Sequence, residues 1–316
     1  MNLAPIIVFS YNRSVHTRKV LEALKKNPLF DQSPLYLFCD GLKEGASEID
    51  KIEHRKTVEI VTDEVYWTEN TTVSISEENL GLAKSITQGV TKVIDKHGTA
   101  IILEDDIIVS TGFLKYMNDA LLIYKDNSKV MHINGYLPKS PFQKNSFKNS
   151  TFFSSHMSCW GWATWKESWN KFSIGANLLY HKLEQLNLFQ KMDLNGSFTG
   201  LDQLKSNIDG TISTWAIKWL STILINDGIC LNSSQSLVKN IGMDGSGVNS
   251  GLLFWNPYKT KRINSIENIS KIPEKPNIGD CYFEEFYRYV NIKGYKRFFI
   301  KLYFYTLNRV FNIDTL

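Results

Sequence analysis

Three short runs of uninterrupted apolar residues, each stopping on a polar or charged side chain, limit what this chain can fold into. PIIVFS (5–10) stops at Tyr11-Asn12-Arg13, LYLFC (35–39) at Asp40-Gly41, and AIIL (100–103) at Glu104-Asp105-Asp106. Apolar runs this short, without alternation, suit strands covered on both faces, the usual state of a parallel sheet. The segments between them carry helical spacing. Val20, Leu21 and Leu24 make a stripe in HTRKVLEALKKN, with Asn12 or Ser14 as the expected cap, and AKSITQGVTKVIDKHG reads as a helix ending near Gly98. With TTVSI (71–75) as a further strand, the order predicts an α/β fold with a mostly parallel central sheet flanked by helices. In such sheets ligands bind beyond the carboxyl ends of the strands. Arg13, Asp40 and the acidic triplet therefore fall where a ligand is expected.

With 316 residues, 43% of them apolar, the chain can bury a large core, and disorder is excluded. Lys plus Arg total 36 against 32 for Asp plus Glu, too small an excess for a nucleic-acid partner. Cys39, Cys159, Cys230 and Cys281 form no CxxC pair and read as buried reduced thiols of a cytoplasmic protein. No secretory signal is expected in MNLAPIIVFS, which has no basic region and no small-residue cleavage site.

Three adjacent acids after a strand are unfavourable unless something positive compensates. Continued strand alternation would put Glu104 and Asp106 on one side, carboxylates about 7 Å apart, and Asp105 on the other. Such a pair suits Mg²⁺ or Mn²⁺ held jointly with substrate phosphates, and the metal would neutralise charge on a diphosphate leaving group. The competing reading is that the acids open a helix, where negative charge is favoured.

The elements PIIVFSYNR, LYLFCDG, NLGLAKSITQGV, AIILEDDIIVS, HINGY, CWGWATWKESW and LVKNIGMDGSG extend from residue 5 to about 250. In this order they resemble GT-A fold glycosyltransferases of the N-acetylglucosaminyltransferase I type and bacterial surface-polysaccharide sugar transferases. The resemblance implies a metal-dependent enzyme, a hexosyl- or N-acetylhexosaminyltransferase. It would move sugar from a nucleotide-diphosphate donor to a glycan or lipid-linked acceptor in O-antigen or capsule synthesis, with inversion. It implies Asp106 as metal ligand, Asp105 at the ribose, Glu104 at the transferred sugar, and Arg13 and Asp40 around the base and phosphates. Lys84 either faces the diphosphate or lies on a solvated helix face. The implied organisation is a domain over 1–257, with a nucleotide-sugar half to about 135 and an acceptor half beyond, then an appendage over 258–316.

The second half departs from the family in one place. The family's general base is an aspartate directly after a tryptophan, and in Thr214-Trp215-Ala216 that position holds alanine. Alanine accepts no proton, so Asp202 and Asp244 become equal candidates, with Asp209 behind because Asp209-Gly210 reads as a turn. Trp165, Trp169 and Phe172 fit one helix face and are expected in the core. Trp160 and Trp162, beside Gly161 in an irregular stretch, are the expected sugar-stacking rings. Gly242, Gly245 and Gly247 suit a lid over the donor, with a plain loop as the alternative. Finally, KGYKRFFIKLYFYTLNRVF (293–311) is basic and aromatic. It is either a helix lying on the anionic inner face of the cytoplasmic membrane or a terminal helix docked on the core. Two other functions fit parts of the pattern. A sugar nucleotidyltransferase would want glycines after the first strand, which SYNRSVHT lacks. A non-catalytic nucleotide- or glycan-binding protein would tolerate Ala216.

Overall fold

A computed structural model describes residues 3–139, 151–244, 258 and 277–291. The predicted strands are β1 (Ile6–Ser10), β2 (Leu35–Cys39), β3 (Thr71–Ile75) and β4 (Thr99–Glu104), followed by β5 (Ile107–Val109) and β6 (Val130–Asn134). Four more come later: β7 (Thr151–Ser154), β8 (Trp162–Trp165), β9 (Ile229–Ser233) and β10 (Val238–Asn240). The longer helices of the first half are α1 (Ser14–Lys25), α2 (Glu48–Val61), α3 (Leu82–His97) and α4 (Phe113–Ile123). The second half has α5 (Lys166–Trp169), α6 (Ala176–Gln185), α7 (Phe189–Met192), α8 (Gly200–Ile208), α9 (Ala216–Ile225) and α10 (Asn277–Asn291).

Eight strands form one sheet in the order β3-β2-β1-β4-β8-β6-β9-β7, and β5 pairs antiparallel with β10 beside it. The pairs β1·β2, β2·β3, β1·β4 and β6·β9 are parallel; β4·β8, β6·β8 and β7·β9 are antiparallel. The architecture is thus the expected α/β sheet flanked by helices, with an antiparallel strand at its middle and another at its edge. Residues of β1 and β4 alternate between the two faces. Ile6, Val8, Ile101 and Leu103 enter one buried cluster with α1 and α4, while Ile7, Phe9, Ala100 and Ile102 enter the other with α3 and α9. Burial on both faces is the physical reason these runs are apolar without alternation.

Some local expectations are corrected. Neither Asn12 nor Ser14 caps α1: Arg13 holds the cap position without a side-chain capping bond, while Asn12 donates to Asp50 and Ser14 to Glu53. WATW is a strand, so Trp165 and Trp169 do not share a helix face. The Trp165 ring joins the α1/α4 side of the sheet, and Trp169 joins the α3/α9 side. Separately from these corrections, helix α10, within the region expected as an appendage, packs on β7. Asp280 Oδ1 accepts from the Ser155 N–H (2.6 Å) and Ser155 Oγ (2.9 Å), and a Cβ at Gly279 would lie 2.1 Å from Phe153 O. The basic aromatic segment over 293–311 lies outside the described residues, as do residues 140–150 of the expected surface loop. Among the described residues, no helix is long and apolar enough to cross a membrane. All four cysteines are free; Cys39 and Cys230 are buried as expected, whereas Cys281 is exposed.

Candidate active site

The chain leaves β1 toward β2 on one side and reaches β4 on the other, so a crevice opens between the carboxyl ends of β1 and β4. That reversal of strand order is where open α/β sheets bind ligands. Arg13 follows β1 and the acidic triplet follows β4, and the β1·β4 register, with Phe9 opposite Glu104, brings them together. Arg13 Nη1 lies 2.9 Å from Asp106 Oδ2 and 3.4 Å from Asp105 Oδ1, with the Arg13 side chain only 13% exposed.

Strand alternation does not decide the geometry of the triplet. β4 ends at Glu104, and Asp105 and Asp106 form a turn before β5, so both reach the same guanidinium. Three carboxyl groups thus share one cation. Burial, then repulsion from Asp106 and Asp105, pushes Glu104 up to about 8 despite Arg13. Burial and Asp106 push Asp105 up to about 7, against the pull of Arg13 and a backbone hydrogen bond from Tyr11. The cluster is short of positive charge.

A strap formed by residues 240–244 covers it. β10 hydrogen-bonds to β5, the Ile241 N–H donates to Asp106 O (2.9 Å), and Asn240 Nδ2 reaches Asp106 Oδ1 (3.5 Å). The Gly242 N–H is held by Asn240 Oδ1 at 2.7 Å. A Cβ at Gly242 would lie 2.1 Å from Asp106 Oδ2 and 2.4 Å from Arg13 Nη2, so only glycine lets the strap come this close. Asp244 ends the strap with Oδ2 at 3.1 Å from His16 Nε2 of α1. His16 and Asn240 were not singled out in the sequence. His16 had a signal, standing three residues from Arg13 on the same end of a helix. Asn240 had none, because its approach depends on β10 pairing with β5.

The remaining expected residues separate. Asp40 is buried, and its carboxylate accepts from the Gly41 (3.0 Å), Leu80 (2.8 Å) and Gly81 (2.9 Å) N–H groups and from Asn79 Nδ2 (3.2 Å). Those donors occupy both oxygens, so Asp40 fixes the loop entering α3 rather than presenting a carboxylate to a nucleotide. Lys84 is exposed in the first turn of α3. Trp162 is corrected from sugar contact to core: it is 1% exposed and its ring stacks on His132 (5.1 Å) and Trp215 (5.0 Å). Trp160 is half-buried, edge-to-face with Tyr136 at 4.5 Å. Asp202 is exposed in the first turn of α8 and Asp209 is exposed at its C-cap. Among the described residues, no hydrogen bond or ion pair joins either aspartate to the acidic cluster. Of the three base candidates, Asp244 lies on the strap that covers the cluster, paired with His16. The strap glycines Gly245 and Gly247 lie outside the described residues.

Among the described residues no three His, Cys, Asp or Glu side chains are arranged to hold a metal ion on their own. The charge balance nevertheless fits a divalent cation that takes one or two carboxylates here and its other ligands from water and phosphate oxygens.

No family model and no curated protein matches the chain. Solved structures show distant similarity. S. aureus TarS 1–349 in complex with UDP is 13% identical over 75% of this chain and 59% of that chain, TM-score 0.43. The mannosyltransferase PcManGT from Pyrobaculum calidifontis, in complex with GDP-Man and Mn²⁺, is 10% identical over 58% and 49%, TM-score 0.35. The galactosyltransferase LgtC, in complex with donor and acceptor sugar analogs, is 9% identical over 69% and 70%, TM-score 0.37. The chain spans 24% of the length of a longer TarS structure and about half that of the mannosyltransferase.

Proposed function

We propose that this chain is a GT-A fold glycosyltransferase that moves a sugar from a nucleoside-diphosphate donor to a glycan or lipid-linked acceptor, using Mn²⁺ or Mg²⁺. One observation carries the reading: Arg13, Asp105 and Asp106 meet in the β1/β4 crevice beneath the strap over 240–244. Acids short of positive charge, next to a guanidinium, suit a ligand that arrives with both a cation and phosphates.

In this reading Asp106 holds the cation, which when bound supplies charge neutralisation for the departing diphosphate. Arg13 exchanges its carboxylate partners for donor phosphate oxygens, with Lys84 approaching from α3. Asp105 and Glu104 orient hydroxyls of the ribose and the transferred sugar. Asp40 acts indirectly, by pinning the loop before α3. Asp244 takes the proton as the acceptor oxygen bonds to the anomeric carbon and the bond from that carbon to the diphosphate breaks. We place the reaction among inverting hexosyl or N-acetylhexosaminyl transfers of the N-acetylglucosaminyltransferase I type, in bacterial surface-polysaccharide synthesis.

The experiment is release of nucleoside diphosphate from a panel of UDP-, GDP- and dTDP-sugars with Mn²⁺. Asp106→Ala should abolish both release and Mn²⁺-dependent donor binding while leaving the circular dichroism spectrum unchanged. Full turnover by Asp106→Ala overturns the assignment. The alanine at 216 supports a second reading, a protein that binds donor without turning it over. Metal-dependent donor binding with no release on any acceptor would favour it.

A further inference from the structure

A cavity of about 340 Å³ lies between the loop after β7, the start of α9 and helix α10. It falls at the small end of the range for small-molecule sites, roughly 300–1,000 Å³. Aromatic rings dominate its wall, among them Tyr136, Trp160, Tyr258, Phe286 and Tyr287, and Ala216 sits on it too. Cys159 also lines it and feels the charges of Glu104 and Asp106, so the cavity adjoins the acidic cluster.

Among the described residues, no Asp, Glu, Lys or Arg lines this cavity. The titratable nitrogen base among its described lining residues, His156, is buried, which pushes it down to about 3 and keeps it neutral; its Nε2 meets the Tyr287 hydroxyl at 3.1 Å. A phosphate or carboxylate would find no counter-charge among these described residues. A purely apolar occupant fits poorly too, because polar groups converge on the space. The Gln203 side-chain amide has no hydrogen-bond partner among the described residues, and Ser158 Oγ accepts only a 3.3 Å contact from the Trp160 N–H. The wall is also rigid. Asn134 Oδ1 takes the Ser158 N–H (2.6 Å), Asn134 Nδ2 donates to Asn232 Oδ1 (2.7 Å), and Asn232 Nδ2 donates to Ser154 Oγ (2.9 Å). All three are buried, and together they fix the loop that carries Cys159 and Trp160.

We propose that this cavity binds an uncharged pyranose ring, the acceptor sugar, with ring faces supplied by the aromatic wall and a hydroxyl anchored by Gln203. Amphipathic sugar rings match the wall, since their C–H faces pack on aromatics while their hydroxyls need partners. Helix α10 is then part of the binding site, and the acidic cluster lies next to the bound ring. The acceptor role rests on the transfer reading above; the binding of a neutral sugar does not.

The test titrates methyl glycosides of glucose, galactose and N-acetylglucosamine into the full chain, by ligand-observed NMR or calorimetry, with UDP–, GDP– and dTDP–Mn²⁺ binding measured in parallel. At least one glycoside should bind. Gln203→Leu should weaken it about tenfold, the loss of one well-placed hydrogen bond. Ala216→Leu, which adds bulk to the cavity wall, should weaken it as well. Both variants should keep the wild-type melting temperature within a few degrees and unchanged nucleotide–Mn²⁺ binding. Nucleotide binding without any glycoside binding overturns this proposal alone. Glycoside binding without nucleotide binding overturns the transfer reading alone. Glycoside binding indifferent to both substitutions, or farnesol binding in place of the glycosides, also overturns the sugar assignment.

Discussion

Gly242→Ala is the sharpest test of the strap. The new methyl would sit 2.1 Å from Asp106 Oδ2 and 2.4 Å from Arg13 Nη2, more than 1 Å inside ordinary contact. Neither neighbour yields freely, because they hold each other at 2.9 Å. The strap must lift, loosening the Ile241 N–H bond to Asp106 O and the His16–Asp244 pair, or the guanidinium must swing away from Asp106. Forcing one methyl into a tight site costs about 1–3 kcal/mol. At about 2.1 cal/mol/K per residue, a chain of 316 residues shifts its melting temperature by roughly 1.5 °C per kcal/mol, so a fall of about 1.5–4.5 °C is expected. Thermal melts followed by circular dichroism read that fall, and Mn²⁺-dependent donor binding reads the damage to the crevice. Gly175→Ala is the control for space, since the nearest atom to its added Cβ is 3.7 Å away. A Gly242→Ala protein that melts within 1 °C of wild type and binds donor normally would refute the described contact.

Three further outcomes follow from the structure and the sequence. Glu104 holds its proton to about pH 8 when folded but only to its ordinary value near 4.5 when unfolded, so stability should decline as pH rises between those values. The slope is at most about 1.4 kcal/mol per pH unit for the one proton. Denaturant titrations from pH 5 to 8 should show a flatter profile for Glu104→Gln, and an unchanged profile would contradict the assignment. Trp162→Ala should cost about 3–5 kcal/mol, as for other buried aromatics, and calorimetric unfolding checks whether this ring is core. Removing residues 293–316 should reduce salt-sensitive binding to anionic vesicles in a flotation assay if the basic aromatic segment meets a membrane; equal binding would support the docked alternative.

Local chemistry made β1, β2 and β4 readable, because strands buried on both faces must be apolar throughout. It also placed Arg13 and the acids at strand ends. Their contact depends on β1 lying next to β4, a tertiary fact no local pattern carries. Asp40 shows how a correct position can mislead: its carboxylate is consumed by backbone donors about forty residues downstream. Trp162 was misplaced for a related reason. WATW is four residues long, too short to show a period, and its strand state is imposed by β4 and β6 on either side. The aromatic spacing of Trp165, Trp169 and Phe172 then imitated a helix face. The shape of the cavity was invisible because α10, which closes it, lies more than a hundred residues beyond Trp160 in the chain.

The position of β8 has a consequence for how the protein is made. β8 lies between β4 and β6, and both precede it in the chain. Until residues 162–165 leave the ribosome, the mostly apolar strand β4 lacks its β8 partner on that edge. A nascent chain halted near residue 135 would therefore hold every residue of the β1/β4 crevice except the strap, yet present an open, aggregation-prone edge. Separately produced halves should be poor folding units, and co-expression of the two would have to restore that single antiparallel strand before either became soluble.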